Sequence, residues 1–461
     1  MQANIFFGSR EIVRKELTQR KNSICSVDDA KEALSVARNA SKEAKKSTIA
    51  QRCAWLLDVA KKLQEQKEDI AKTITDEVGK PITFSRIEVD RAIETVTLSA
   101  ETMRTMGGET INTDAFASGK KTTAFFKRES VGVVVAITPF NFPLNLVAHK
   151  LAPALVAGNA VVLKPTPEAP LTAYKFAKLF IESPHAIKDA LSVVYGDAEV
   201  GSALITSDIP RVVSFTGSVP VGNIIIKSAG IKKVSLELGG NAATFIDKSA
   251  DLDLAAQRCA LGAFVNSGQV CISLQRIYVD SEVYEEFSQK IAQESKKLVV
   301  GSPYEDDTFL GPLIDDDAAS RAMSWVESAI EEGAKPLLEP HREGRMFHPC
   351  VMADVRDDMV IVCEEVFAPI VSLVRVDGFD DALPRMNNSP YGLQFSVFTN
   401  DLKLTQRAID ELDAGGVVIN DMPTLRFDIQ PYGGVKLSGV GREGPRFAIE
   451  EFSEIKSVVI C

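Results

Sequence analysis

The chain has 461 residues, 45% hydrophobic and 25% charged, which excludes a disordered polymer. At roughly 150 residues per domain the length suggests about three domains, each able to bury a core without disulfide staples. Lys and Arg number 52 against 63 Asp and Glu, and the net charge of −11 argues against nucleic acid or an anionic membrane surface as a main partner.

Residues 1–17 carry Arg10, Glu11, Arg14 and Glu16 beside a short apolar run at 5–7, so no signal peptide is expected. From Ser26 to about Met103 the spacing is helical, with Ser26 as N-cap and Asp29 in the capping-box position, and Gly79 before Pro81 ends one helix. The segment 115–128 alternates around Ser118-Gly119 and reads as a hairpin. The region 131–163 is the most apolar. It is broken by Pro139, Asn141, Pro143, His149, Lys150, Pro153 and Asn159, short of the ~20 clean residues of a membrane span.

From Val131 short β-branched runs at 131–137, 160–164, 191–195, 212–215 and 234–236 alternate with helical stretches at 145–157, 171–181, 200–205 and 221–229. That alternation predicts an α/β fold with a doubly wound parallel sheet, whose ligands belong at the carboxyl ends of the strands. After Gly240 a second α/β series follows, with strands near 243–246, 276–279, 370–376 and 417–420 and helices near 252–264, 283–298 and 318–332. The tail 450–461 ends in a strand-like run. With the hairpin it forms either an oligomerisation arm or an intramolecular edge ribbon. The expected units are a dinucleotide-binding domain over 1–114 and 132–240, a catalytic domain over 241–432, and an arm and tail over 115–131 and 433–461.

Seven cysteines without CxxC or metal-type spacing read as reduced thiols in a cytoplasmic chain, and no metal is expected. Cys271 stands apart, in the polar turn 266–272 after a helix; a reactive thiol and a structural cysteine both fit that context. None of the four histidines has a catalytic setting, which disfavours peptide hydrolysis. Glu237 ends an apolar run before Gly239-Gly240, placed either as a base whose affinity for protons is raised by burial or as half of an ion pair. Asn141, between Pro139 and Pro143, offers a fixed amide donor, and each such donor can stabilise an oxyanion by ~3 kcal/mol. Lys164-Pro165-Thr166 closes the second strand within reach of a ribose or phosphate. Thr216-Gly217-Ser218 closes the fourth and opens a helix, where backbone N–H groups suit a pyrophosphate.

Together, Pro139-Phe140-Asn141-Phe142-Pro143, Lys164-Pro165-Thr166, Phe215-Thr216-Gly217-Ser218, Leu236-Glu237-Leu238-Gly239-Gly240, Gly268-Gln269-Val270-Cys271, Glu364-Glu365-Val366-Phe367-Ala368-Pro369 and Pro431-Tyr432-Gly433-Gly434-Val435-Lys436 resemble the aldehyde dehydrogenase superfamily over 27–460. The resemblance implies a Rossmann-like cofactor domain, a catalytic domain and a β-arm that builds a homodimer or homotetramer. It implies oxidation of an aldehyde to the acid with NAD or NADP. Cys271 would attack, Asn141 and the Cys271 N–H would hold the oxyanion, and Glu237 would activate the water that hydrolyses the thioester. The cofactor would lie along Thr138, Pro139, Lys164, Thr166, Gly217, Ser218, Gly222, Leu238, Glu365 and Phe367.

NAD-preferring members often carry Glu three positions after the lysine, where this chain has Pro167, with Glu168 one further, so both cofactors fit. Arg426, Arg91 and Phe142 border the expected substrate entrance. Two guanidinium groups suit a small hydroxylated or anionic aldehyde, as in the lactaldehyde, phosphonoacetaldehyde or non-phosphorylating glyceraldehyde-phosphate dehydrogenase branches; the competing reading pairs Arg426 with Asp428 or a neighbouring subunit. Val270, not Arg, precedes Cys271, so one anion contact of phosphate-aldehyde members is missing. A CoA-acylating enzyme, which tends to lack the base glutamate, and a non-catalytic protein that keeps the fold are the alternatives.

Overall fold

A computed structural model describes residues 4–12 and 25–461, so part of the N-terminal reading over 1–17 lies outside the described residues. Four helices open the chain, Val27–Lys46, Ile49–Glu65, Lys67–Val78 and Ile82–Thr105. The first is closed by a reciprocal capping box between Ser26 and Asp29. Gly79 ends the third at φ +70, where a Cβ would stand 2.6 Å from Pro312 Cγ.

The first sheet takes the expected strands in the order 191–193, 160–164, 133–137, 212–216 and 233–237, all parallel. In chain order this is 3-2-1-4-5, and the order reverses between the carboxyl ends of Val133–Ile137 and Val212–Thr216. A crevice opens at such a reversal. Short antiparallel strands flank the sheet, Ile5–Phe7 on one side and Gly439–Val440 on the other.

A second sheet orders 335–336, 350–353, 370–376, 274–280, 242–246, 394–398 and 416–419, parallel but for its first edge strand. The strand Cys350–Ala353 agrees with the strand-like run read around Cys350, whereas Gln394–Phe398 escaped the sequence reading. In the latter, Gln394 and Ser396 break the apolar run although both are buried, Ser396 sharing a 2.7 Å hydroxyl contact with Thr244.

The third sheet joins Glu109–Ile111, Thr123–Ser130 and Ser453–Ile460, the last two paired antiparallel from Ser453↔Ser130 to Ile460↔Thr123. The hairpin begins earlier than expected. Residues 115–122 form no strand, because Asp114, Ser118 and Gly119 close turns, with the Gly119 N–H on Phe116 O at 2.8 Å. Of the expected tail, only 453–460 belongs to this ribbon, while helix Pro445–Glu451 packs on Asn145–Val156. No helix among the described residues is long and apolar enough to cross a membrane.

Candidate active site

A cavity of about 520 Å³ lies where the two large sheets face each other. Its walls come from residues at and just after the carboxyl ends of the first sheet, 139–142, 216–218 and 237–239, and from residues just before strands of the second, Cys271 before 274–280 and Glu365 and Phe367 before 370–376. The carboxyl-end rule therefore holds for the first sheet and is inverted for the second.

Cys271 reaches this space through a turn of three successive left-handed residues, Asn266 (φ 51), Ser267 (φ 55) and Gly268 (φ 71). Only glycine fits at 268, where a Cβ would lie 2.2 Å from Ala368 O. Ser267 pays strain for the conformation and is held by its hydroxyl donating to Gly311 O at 2.8 Å. Gln269 accepts the Ile314 N–H at 2.9 Å. Gly240 permits the second approach: a Cβ there would stand 2.1 Å from Cys271 O.

The turn leaves Cys271 partly exposed, but burial of its sulfur pushes the thiol up to about 12 instead of activating it. Tyr432 Oη, 3.0 Å from Sγ, and Arg426 oppose that shift, while Glu365 and Glu237 add to it.

Glu237 ends Lys233–Glu237 and is 3% exposed, and neither carboxyl oxygen has a hydrogen-bond partner. Burial first, then the Glu443 charge, raises its carboxyl well above the usual range, so it is no strand-end ion pair. Asn141 is buried and its Nδ2 donates to Gln269 O at 3.1 Å, leaving the second amide hydrogen for an oxygen at the nucleophile.

The dinucleotide side of the cavity is lined by Pro139, Gly217, Ser218, Leu238, Glu365 and Phe367, whereas Thr138, Lys164, Thr166 and Gly222 lie outside its wall. Ser218 caps helix Val219–Ala229 by position, with its hydroxyl left free of the cap. A Cβ at Gly222 would stand 2.6 Å from Leu238 Cδ2. Burial pushes Glu365 up to about 7 although its Oε1 accepts the Gly240 N–H at 3.0 Å. Phe367 (φ 51) meets Phe140 edge to face, with centroids 6.0 Å apart. The donor set fits a dinucleotide. Thr138 and Thr216 hydroxyls are buried without partners, and Lys164 is a buried ammonium whose affinity for its proton is lowered by desolvation. Glu168 turns back to accept from the Thr166 hydroxyl, beside Lys164.

The opposite end is a buried ionic network that sequence reasoning mostly missed. Arg426 does not pair with Asp428 as expected. Its Nη2 contacts Glu443 Oε2 at 3.3 Å and its guanidinium covers the Tyr432 ring at 3.7 Å, while Nε is buried without an acceptor. Asp428 instead takes Arg91 at 2.8 and 3.0 Å and His149 at 3.0 Å, and these contacts hold its carboxyl well below the usual range against burial. Glu443 is shared: Lys150 reaches its other oxygen at 3.1 Å. Although burial opposes it, the charges of Lys150, His149 and Arg426 keep Glu443 ionised, at about 2.

Lys80, following the left-handed Gly79, pairs with Glu88 while its Nζ lies 3.9 Å from the Phe142 ring centroid. Glu88 in turn accepts the Leu144 and Asn145 N–H groups at 2.8 and 3.1 Å, fixing the loop that carries Asn141. Both side chains are 1% exposed. Lys80→Met leaves Glu88 without its counter-charge and is expected to destabilise the fold by about 3–5 kcal/mol, read by scanning calorimetry. An unchanged transition would show that the pair contributes nothing net.

Residues 15–458 match the model of the aldehyde dehydrogenase family. A 3-sulfolactaldehyde dehydrogenase of Priestia aryabhattai is 43% identical over 441 residues, covering 95% of this chain and 91% of that protein. The crystal structure of aldehyde dehydrogenase 21 of Physcomitrella patens in complex with succinate superposes with a TM-score of 0.96 at 36% identity, covering 99% and 98% of the two chains. That of a glyceraldehyde-3-phosphate dehydrogenase of Methanocaldococcus jannaschii complexed with NADP gives 0.91 at 38% identity, covering 96% of each. With a cysteine, a buried carboxyl and a fixed amide around one cavity beside a dinucleotide crevice, this chain belongs to the aldehyde dehydrogenase family and is an NAD(P)-dependent aldehyde dehydrogenase.

Proposed function

We propose that the enzyme oxidises a small, hydroxylated, anionic aldehyde, with Cys271 as nucleophile, Asn141 and the Cys271 N–H as oxyanion donors, and Glu237 as the base for water. The Cys271 sulfur bonds to the aldehyde carbon as the carbonyl becomes an alkoxide, which the two N–H donors hold. A dinucleotide held along 217–218, Lys164, Glu365 and Phe367 would supply the hydride acceptor. The thioester left on Cys271 is hydrolysed by a water whose proton passes to Glu237, releasing the acid and the thiol. The cofactor domain would span 1–114 and 132–240 and the catalytic domain 241–432. The enzyme would be cytoplasmic, and the exposed apolar side chains of the ribbon, Ile111, Ile455, Val459 and Ile460, suit pairing between subunits in a homodimer or homotetramer.

The observation that carries the substrate class is the charge at the far end of the cavity. Its wall holds Lys80, Arg91 and Arg426, paired in turn with Glu88, Asp428 and Glu443, and Glu443 is shared with Lys150, so that one carboxylate faces two cations. The unpaired Arg426 Nε offers a donor for an anionic oxygen. Of the three similar proteins, two are named for an anionic aldehyde, sulfolactaldehyde and glyceraldehyde 3-phosphate, and the third holds the anionic product succinate.

Arg426→Ala is expected to raise KM for a short anionic aldehyde by about 10- to 100-fold while changing KM for propanal far less, the size of one or two charge-assisted hydrogen bonds. Steady-state kinetics on the pair of substrates decides. An equal change on both would remove the anion site.

A further inference from the structure

Tyr432 is 5% exposed and packs with Val270, Ile272 and Leu393 around the nucleophile. Its Oη stands 3.0 Å from Cys271 Sγ, and the opposite pressure on its ring comes from the Arg426 guanidinium, 3.7 Å from the centroid. Two glycines bring it there. A Cβ at Gly433 would lie 2.8 Å from Glu237 Oε1, and one at Gly434 2.3 Å from Ser438 Cβ, so the turn lies too close to its neighbours for side chains at either position. The tyrosine is thus clamped between the substrate-side cation and the sulfur.

Burial pushes the phenol well above its usual value, so the hydroxyl keeps its proton and can donate it to a thiolate at Sγ. The reverse arrangement, a phenolate taking the thiol proton, would add a buried anion beside Glu237 and Glu365 and is disfavoured. A hydrogen bond to the charged form of a group favours that form.

We propose that Tyr432 is a catalytic residue whose hydroxyl donates to the Cys271 sulfur and stabilises the thiolate before it attacks the aldehyde. The inference rests on the reading of Cys271 as the nucleophile. No bond to Tyr432 forms or breaks: the thiol proton leaves to water and the sulfur keeps the electron pair. Of the charged groups facing the sulfur, Glu365 and Glu237 oppose its ionisation and Arg426 favours it. Arg426 also serves as a positioning residue, since a cation over the ring face fixes the plane of the phenol.

Tyr432→Phe keeps the ring, its packing and the Arg426 contact while removing the donor. The probe is iodoacetamide, with alkylation of Cys271 read by peptide mass spectrometry so that the exposed Cys363 and Cys461 do not contribute. The rate of Cys271 alkylation at neutral pH is expected to fall tenfold to hundredfold. The burst of reduced nicotinamide should slow by the same factor, with kcat falling more than KM rises. An unchanged alkylation rate overturns the proposal, and so does a change confined to KM. Monofluorotyrosine placed at 432 provides a second test without a change in packing: a more acidic phenol must raise the alkylation rate, and no change overturns the proposal. Full activity in Cys271→Ser would sink the nucleophile reading itself, whereas an inactive Cys271→Ser beside an unaltered Tyr432→Phe sinks only the role of the phenol.

Discussion

Cys271→Ser is expected to lower kcat/KM by at least about four orders of magnitude, measured as initial formation of reduced nicotinamide, while the fold and dinucleotide binding persist. The size of the loss follows from the surroundings of the sulfur. A thiol pushed up to about 12 still yields some thiolate when Tyr432 donates to it, because sulfur spreads its charge. A serine hydroxyl at the same place is far less acidic and needs a base within hydrogen-bond reach. Tyr432 is a donor, the carboxyl of Glu237 holds its proton, and His149 is committed to Asp428. Alkylation should agree: Cys363 and Cys461 are exposed and label without loss of turnover, whereas Cys25, Cys53, Cys259 and Cys350 are buried. Inactivation that tracks Cys363 would move the nucleophile.

The first sheet was legible because its parallel strands are covered on both faces and are mostly apolar and β-branched, with Val133–Ile137 apolar throughout and Ala160–Lys164 apolar up to its last residue. Caps were legible for a similar reason, since Ser26 and Asp29 satisfy each other within four residues. What stayed hidden depends on long-range polar pairing. Strand 394–398 is interrupted by Gln394 and Ser396, whose partners Pro423, Leu425 and Thr244 lie far away in the chain. The same limit applied at the site. Cys271, Glu237 and Asn141 stood out in short motifs, but Glu443 and Lys150 pair across 293 residues and Asp428 and Arg91 across 337. Tyr432 sat in a quoted motif, and the signal that could have marked it was a hydroxylated ring directly before two glycines.

Glu237→Gln is expected to separate the two halves of the reaction. Acylation does not use the carboxyl, so a burst of reduced nicotinamide equal to the enzyme concentration should remain, followed by turnover slowed by about 10²- to 10⁴-fold, the usual worth of a positioned base. Rapid-mixing absorbance would show the burst, and mass spectrometry the acylated Cys271 peptide. The pH dependence gives a sharper check. The base works only when ionised, and burial together with the Glu443 charge raises its carboxyl, so wild-type hydrolysis should increase with pH through a midpoint well above the ordinary value of about 4.3. Glu443→Gln removes the nearby anion and frees Lys150 and Arg426 to face Glu237, and both changes favour ionisation. The midpoint should therefore move to lower pH in that variant, while Glu237→Gln loses the rise altogether. A midpoint that stays in place when Glu443 is neutralised would mean that the proton on Glu237 is governed by something other than burial and this second carboxylate.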